Sequence, residues 1–142
     1  ALCRKIAEAK LKKDPQVEIW GDGKQTRSFC YIDDCLEGIY RLTQSGFSQS
    51  LNLGQDELIS IAKLADKIAG IAGHSIQKKF IPGPQGVRGR NSDNRLLKKV
   101  LDWSPEISLD EGLKKTYDWI ESQVRAVPVL TKRGKSVSRI HA

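Results

Sequence analysis

The chain has 142 residues, of which 39% are hydrophobic, so it can form one ordinary domain with a modest core. No apolar run approaches the ~20 residues that cross a bilayer, and no signal segment opens the chain, so we expect a cytoplasmic protein without a membrane partner. The net charge of +7 comes from the two ends, because residues 14–123 carry 14 basic and 16 acidic side chains. A nucleic-acid-binding module more often carries basic residues along one folded face, so nucleic acid is not the expected partner.

The three cysteines and two histidines argue against a disulfide framework and against a metal site. An odd number of cysteines fits a reducing compartment, and Cys30 and Cys35 are too loosely spaced to hold zinc. Cys30 falls within a predicted strand, where we interpret it as a small buried hydrophobic residue and not as a catalytic thiol.

Five stretches have apolar residues at the three- and four-residue spacing that is typical of amphipathic helices. In chain order they are residues 2–11, 35–42, 61–72, 96–101 and 109–124. The third is expected to bury one face. The second is expected to carry a stripe of the same kind, formed by Cys35, Leu36, Ile39, Tyr40 and Leu42.

Residues at the ends of these stretches predict where the helices begin and end. Ser60 and Gly73 flank the third stretch as an N-cap and a stop signal. Asp33 or Asp34 is placed to cap the second stretch. Ser108 begins the Ser-x-x-Glu spacing of a capping box, which predicts the start of the last helix.

Four short β-like pieces lie between the helices, at residues 17–20, 26–32, 51–53 and 77–81. Gly21 and Gly23 tolerate positive φ, so the chain can reverse tightly after the first piece and form a hairpin with the second. Short strands mixed with helices predict an α/β protein, or α+β if this chain is considered alone.

The stretch WGDGKQTRSF, residues 20–29, places Lys24 and Arg27 directly after the glycine turn. The alternating strand pattern puts Arg27 on the same face as Gln25. Two interpretations of the cations are open. They are edge charges that discourage aggregation between strands, or they form part of a binding site for an anion.

The stretch IPGPQGVRGRNSDN, residues 81–94, places Arg88 and Arg90 among glycines and before a predicted helix start. Glycine lets the backbone approach a ligand closely, and arginine offers a planar fork of donors that matches phosphate oxygens. The alternative is a flexible surface loop whose arginines are only solvated. No Gly-x-x-x-x-Gly-Lys-Ser/Thr is present, so this is not a nucleoside triphosphate cradle.

The stretch GDGKQTRSFCYIDDCLEGI is similar to the carboxy-terminal region of the extended short-chain dehydrogenase/reductase family, whose NAD-dependent enzymes epimerise, dehydrate or decarboxylate nucleotide sugars. In that family a Gly-x-Gly-x-Gln-x-Arg stretch, a strand and an acidic pair lead into a helix. ALCRK near the start, the two glycine-rich stretches and the pattern from residue 96 to 119 resemble the members that epimerise GDP-mannose. This resemblance covers residues 1–125 with similar spacing.

The resemblance implies that a set of polar residues contacts a nucleotide sugar of the GDP-mannose type. Lys5 and Arg90 are implied to lie near the diphosphate, with Arg88 as an accessory cation. The complete implied substrate-binding set is Lys5, Gln25, Thr26, Arg27, Arg88 and Arg90. It requires the two glycine-rich stretches to lie together in the folded chain.

The resemblance also implies a cofactor and a partner domain that this sequence does not encode. A dinucleotide-binding glycine fingerprint and a Tyr-x-x-x-Lys pair are absent from it. We therefore expect residues 1–126 to be the substrate-binding domain of an isomerase. The intact enzyme would add an amino-terminal Rossmann domain and NAD. This chain alone is expected to bind no NAD and to show no turnover. Residues 127–142 are expected to form a basic, disordered tail, and a homodimer is one way to cover apolar surface.

Two alternatives remain open from the sequence. The parent enzyme could be another epimerase, dehydratase or decarboxylase that acts on UDP- or dTDP-sugars. The chain could instead be a stand-alone, non-catalytic binding or assembly module that kept the fold.

Overall fold

A computed structural model describes residues 1–84 and 86–126, so the predicted disordered tail at residues 127–142 lies outside the described residues. The described helices are α1 (Leu2–Lys12), α2 (Ile32–Gln44), α3 (Ile61–Ala72), α4 (Arg95–Leu101) and α5 (Leu109–Ala126). The described strands are β1 (Gln16–Trp20), β2 (Thr26–Arg27), β3 (Ile59–Ser60), β4 (Gln77–Ile81) and β5 (Gly89–Arg90). This mixture of helices and short strands confirms the predicted α/β class.

The hydrophobic core lies where α1, α3 and α5 pack against one another. Ile6 of α1, Ile68 of α3 and Tyr117 of α5 are almost completely buried there. Each helix contributes the apolar stripe that its spacing predicts. Within the part of the chain that is described, no helix combines the length and hydropathy required to cross a bilayer.

Helix α3 begins and ends where the sequence predicts. The Ser60 hydroxyl accepts a hydrogen bond from the Lys63 amide at 3.3 Å, and Gly73 adopts left-handed backbone with φ of 60°. The hydroxyl satisfies one of the amides that a helix start leaves without a partner, and glycine takes the left-handed conformation without steric cost. Helix α5 also begins as predicted, because the Ser108 hydroxyl accepts a hydrogen bond from the Glu111 amide at 3.3 Å.

The strands form two small sheets. Strands β1 and β4 pair in parallel, and the second sheet has the order β3-β2-β5, with β2 antiparallel to β3 and parallel to β5. The predicted hairpin is therefore wrong. The Gly21 amide donates to the Ile81 carbonyl at 2.9 Å and extends the pairing of β1 with β4, so the turn carries the chain from one sheet into the other.

The predicted strand at residues 26–32 is too long, because β2 ends at Arg27 and α2 already begins at Ile32. Asp33 and Asp34 lie in the first turn of α2 instead of capping it, and the N-cap position is Tyr31. Carboxylates in the first turn favour helix because they interact with the positive end of the helix dipole. The buried Asp34 carboxylate also accepts a hydrogen bond from the Ile107 amide at 2.9 Å, which fixes this end of α2.

Helix α2 exposes Leu36, Ile39 and Tyr40 of its predicted apolar stripe and half-buries Cys35 and Leu42. The fully buried positions of the helix are Asp34 and Gly38, whereas Ile39 is 48% exposed. Gly38 permits close packing, since a Cβ atom there would lie 2.9 Å from Cζ3 of Trp103. Residues 51–53 are not a strand, contrary to the prediction, because no other segment of the described residues pairs with them; the Leu53 side chain packs against Gly38. The exposed large apolar side chains of α2 are Ile32, Leu36, Ile39 and Tyr40.

Candidate functional site

The two glycine-rich stretches meet in the second sheet. Thr26 is the register partner of Gly89, and Arg27 is the register partner of Arg90. The Thr26 amide also donates a hydrogen bond to the Arg88 carbonyl at 2.9 Å. Residues in register on neighbouring parallel strands share one face of a sheet. The fold thus brings Arg27 and Arg90 together although 62 residues of chain separate them.

The three arginines of this region have different surroundings. Arg27 donates from Nη1 to the Thr26 carbonyl at 2.6 Å and lies beside Gly86. Arg88 forms an ion pair with Asp22, with 2.8 Å between Nη1 and Oδ2. Arg90 has neither a hydrogen bond nor an ion pair with its side chain among the described residues. Arg90 is therefore the arginine that is most available to an external anion.

A cleft of about 560 Å³ opens between the two sheets and helices α1, α3 and α5. Lys5, Gln25 and Arg27 line it, whereas Thr26, Arg88 and Arg90 do not. Thr26 is bonded to the loop that carries Arg88, and Arg90 lies beside Arg27 on β5. The six predicted residues therefore divide into three that line the cleft and three that adjoin Arg27.

Gln25 is the most deeply buried polar residue of the cleft, with 7% of its surface exposed. Its Nε2 donates to the Trp20 carbonyl at 3.0 Å, which holds the side chain in place. Its Oε1 is buried and has no hydrogen-bond partner among the described residues. Buried polar atoms are nearly always paired, so this acceptor can receive a donor from a bound molecule.

Lys5 and the Trp20 ring lie close together in another part of the cleft. Lys5 donates from Nζ to the Glu18 carbonyl at 2.8 Å, and the same atom lies 5.8 Å from the centroid of the Trp20 ring. Trp20 is 54% exposed. Gly83 packs closely against it, since a Cβ atom at Gly83 would lie 2.9 Å from Cγ of Trp20. This arrangement can contact a molecule that has both a flat apolar part and a negative charge.

The apolar lining of the cleft was not identified from the sequence. Helical spacing explains its residues as ordinary core positions, and no local pattern indicates that α3 and α5 leave space beside β1. Only the packing of distant elements produces the cavity. The main apolar residues that line it are Ile19, Phe29, Ile61, Leu64, Ile68, Leu109 and Leu113.

Cys30 lines the cleft and is half-buried, which corrects the prediction of full burial because the strand that would have buried it ends at Arg27. Partial burial raises the pKa of its thiol to about 11, with smaller contributions from Asp34 and Cys35. A thiol with this pKa is protonated at neutral pH and is a poor nucleophile. The structure therefore agrees with a packing role for Cys30 and not with a catalytic one.

The described residues do not fit a dinucleotide. Gly21 and Gly23, with φ of 75° and 70°, come nearest to a glycine fingerprint, but Thr26 occupies the position of its third glycine. The turn leads into β2, whereas a dinucleotide-binding fingerprint leads from a strand into a helix whose N-terminus faces the pyrophosphate. No chemical step through NAD is therefore assigned to these residues.

The chain is similar to several enzymes that are named for nucleotide sugars. The sequence profile described as GDP-mannose 4,6 dehydratase matches residues 1–116. GDP-mannose 3,5-epimerase of Arabidopsis thaliana is 48% identical over 87% of this chain, and dTDP-4-dehydro-6-deoxy-D-allose reductase of Streptomyces bikiniensis is 33% identical over 82%. The structure of UDP-glucuronic acid 4-epimerase from Bacillus cereus, in complex with UDP-glucuronic acid and NAD, superposes with a TM-score of 0.76 at 30% identity over 87% of the chain.

This chain spans about a third of the length of the curated relatives that it matches. The matched region is 32% of the Arabidopsis protein and 36% of the Streptomyces protein, and it is 40% of the Bacillus cereus chain. The profile match and the identity over most of the chain establish the relationship. The chain belongs to the GDP-mannose 4,6-dehydratase family, within the extended short-chain dehydrogenase/reductases that were expected from its glycine-rich stretches.

Proposed function

We propose that this chain is the nucleotide-sugar-binding part of an NAD-dependent epimerase similar to GDP-mannose 3,5-epimerase. The observation that carries the proposal is the register of Arg27 with Arg90 beside a cleft that Lys5 and Gln25 line. Two arginines on one face of a sheet provide the paired donors that a diphosphate requires. The 48% identity to a GDP-mannose 3,5-epimerase supports this substrate over other nucleotide sugars.

Each polar residue has a role in this proposal. Arg90 and Arg27 bind diphosphate oxygens, and Lys5 adds positive charge at the cleft. Gln25 accepts a hydrogen bond from the nucleotide sugar at Oε1, which has no other partner among the described residues. Thr26, next to Arg27 on β2, contributes a further contact with the nucleotide sugar. Arg88, predicted as an accessory cation, pairs with Asp22 beside the site and is not assigned a contact with the diphosphate.

This chain binds the substrate, and the intact enzyme performs the reaction. NAD, when bound by that enzyme, supplies a hydride acceptor for the sugar. The described residues offer no fitting cradle for NAD, so we expect binding without turnover from this chain alone.

We further propose that the exposed apolar face of α2 contacts the cofactor-binding part of the intact enzyme. Ile32, Leu36, Ile39 and Tyr40 form a contiguous apolar surface at helical spacing. Monomeric proteins rarely leave such a surface uncovered. The additional chain of these relatives is about one and a half to two times as long as the region matched here, and it can cover this surface. Self-association of this chain through α2 is the alternative.

Calorimetric titration of the protein with GDP-mannose tests the proposed function. A few charge-assisted hydrogen bonds, reduced by the cost of association, give an expected dissociation constant of about 1 μM to 1 mM. UDP-glucose and dTDP-glucose serve as competitors because they carry the same diphosphate with another nucleoside and another sugar. We expect GDP-mannose to bind more tightly than both.

Binding of none of the three nucleotide sugars would contradict the proposed function of this chain. Tighter binding of UDP-glucose would move the assignment to the UDP-sugar enzymes, with which the chain also shares identity. UDP-glucuronic acid decarboxylase 1 of Danio rerio, for example, is 33% identical over 75% of the chain.

A further inference from the structure

An ion pair connects the turn after β1 with the loop before β5. Nη1 of Arg88 lies 2.8 Å from Oδ2 of Asp22, across 66 positions of sequence. The turn with Asp22 leads directly into Arg27, and the loop with Arg88 leads directly into Arg90. The pair therefore joins the two segments that carry the proposed diphosphate ligands.

A backbone hydrogen bond orients the Asp22 carboxylate toward Arg88. Its Oδ1 accepts a hydrogen bond from the Lys24 amide at 2.9 Å, which leaves Oδ2 directed to the arginine. These contacts, first that with the Lys24 amide and then that with Arg88, lower the pKa of Asp22 below its usual value of 3.8. Asp22 is consequently charged at neutral pH. Such orientation favours an exposed ion pair, because less side-chain entropy is lost when the pair forms.

The backbone pairing of the two segments is short. Strands β2 and β5 have two residues each, and the backbone bond from Thr26 to Arg88 is 2.9 Å long. The loop before β5 contains Gly86, whose φ of 62° is in the left-handed region, and glycine-rich segments lose much conformational entropy when they become ordered. So short a ladder depends on additional contacts to keep its register.

We propose that Asp22 and Arg88 form a clasp that holds the loop against the turn and keeps Arg27 and Arg90 in register. In this role Arg88 is a positioning residue and not a ligand of the diphosphate. The consequence for binding rests on the proposed function, whereas the effect on the strand pairing does not.

Replacement of Asp22 by asparagine separates the two roles of Arg88, because they predict opposite signs. If Arg88 is a ligand, Asp22→Asn removes a competing negative charge and anion binding becomes tighter. If the pair is a clasp, Asp22→Asn loosens the loop and binding becomes weaker. The conservative variant Arg88→Lys keeps a cation for Asp22 and is expected to retain more pairing than Arg88→Ala.

The experiment measures amide hydrogen exchange of Thr26 by NMR and the affinity for GDP-mannose by calorimetry. For Asp22→Asn and Arg88→Ala we expect Thr26 to exchange about two- to five-fold faster and binding to weaken, in line with the small energies of exposed ion pairs. Asp66→Asn is the matched control, because it breaks the exposed pair of Asp66 with Lys78 away from both segments. This control is expected to change neither measurement.

Unchanged exchange of Thr26 in both Asp22→Asn and Arg88→Ala would overturn the clasp. Tighter binding by Asp22→Asn would overturn it as well, because a clasp predicts weaker binding when the pair is broken. If the wild-type protein binds no nucleotide sugar, the proposed function fails, and the exchange of Thr26 alone supports or overturns the clasp.

Discussion

Replacement of Ile6 by alanine is expected to lower the free energy of unfolding by about 2–5 kcal/mol. Ile6 is completely buried on α1, where it belongs to the core shared with α3 and α5. The substitution removes buried apolar surface and leaves a cavity that the three helices cannot fully close. Urea unfolding followed by circular dichroism measures the change from the shift in midpoint.

The same substitution at an exposed position is the control for Ile6→Ala. Ile39 on α2 is 48% exposed, so Ile39→Ala is expected to change the free energy of unfolding by about 0.5 kcal/mol or less. Equal destabilisation by the two variants would contradict the assignment of the core to α1, α3 and α5.

Replacement of Arg90 by alanine is expected to weaken the binding of GDP-mannose by about 10- to 150-fold. This range corresponds to about 1.5–3 kcal/mol for the loss of charge-assisted hydrogen bonds. Arg90 has no side-chain partner among the described residues, so its removal leaves the folded chain otherwise unchanged. Calorimetry measures the affinity, and the urea midpoint confirms that stability is retained.

Arg125→Ala provides the matched control for Arg90→Ala. It removes the same charge from α5, where Arg125 pairs with Glu121 outside the cleft. Its affinity for GDP-mannose is expected to be within about two-fold of wild type, because Arg125 does not line the cleft and salt screens exposed charges outside the site. Equal losses in the two variants would show that Arg90 acts only through net charge.

Local sequence signals predict the helices well because the forces that form them are local. Ser60 and Gly73 act within one turn of α3, and Ser108 caps the helix that directly follows it. The strand at Gln77–Ile81 also has its predicted bounds. In these cases side-chain periodicity and backbone preference indicate the same structure.

The wrong predictions concern contacts between segments that are distant in the sequence. The turn at Gly21 and Gly23 indicates that the chain changes direction, but not which strand pairs with β1. The parallel partner β4 begins 57 residues after Trp20, and only tertiary contacts select it. The exposure of the apolar stripe of α2 has a similar reason. Amphipathic spacing identifies the apolar face of a helix but not the element that packs against it.

The candidate site was predicted in its parts and not as a whole. Residue chemistry indicated an anion-binding role for Arg27 and Arg90, and the fold places them in register. The ion pair of Arg88 with Asp22 was not predicted, because its partners are remote in sequence and common in type. The unpaired acceptor of Gln25 could be recognised only from its burial.

The most direct test of the shared anion site is a titration of ¹⁵N-labelled protein with GDP-mannose, followed by NMR. Arg27 and Arg90 lie in register, so one bound diphosphate should perturb both segments. We predict that amides at residues 24–27 and 86–90 shift together and saturate with one dissociation constant. Shifts confined to one of the two segments, or a different dissociation constant for each, would contradict a shared site.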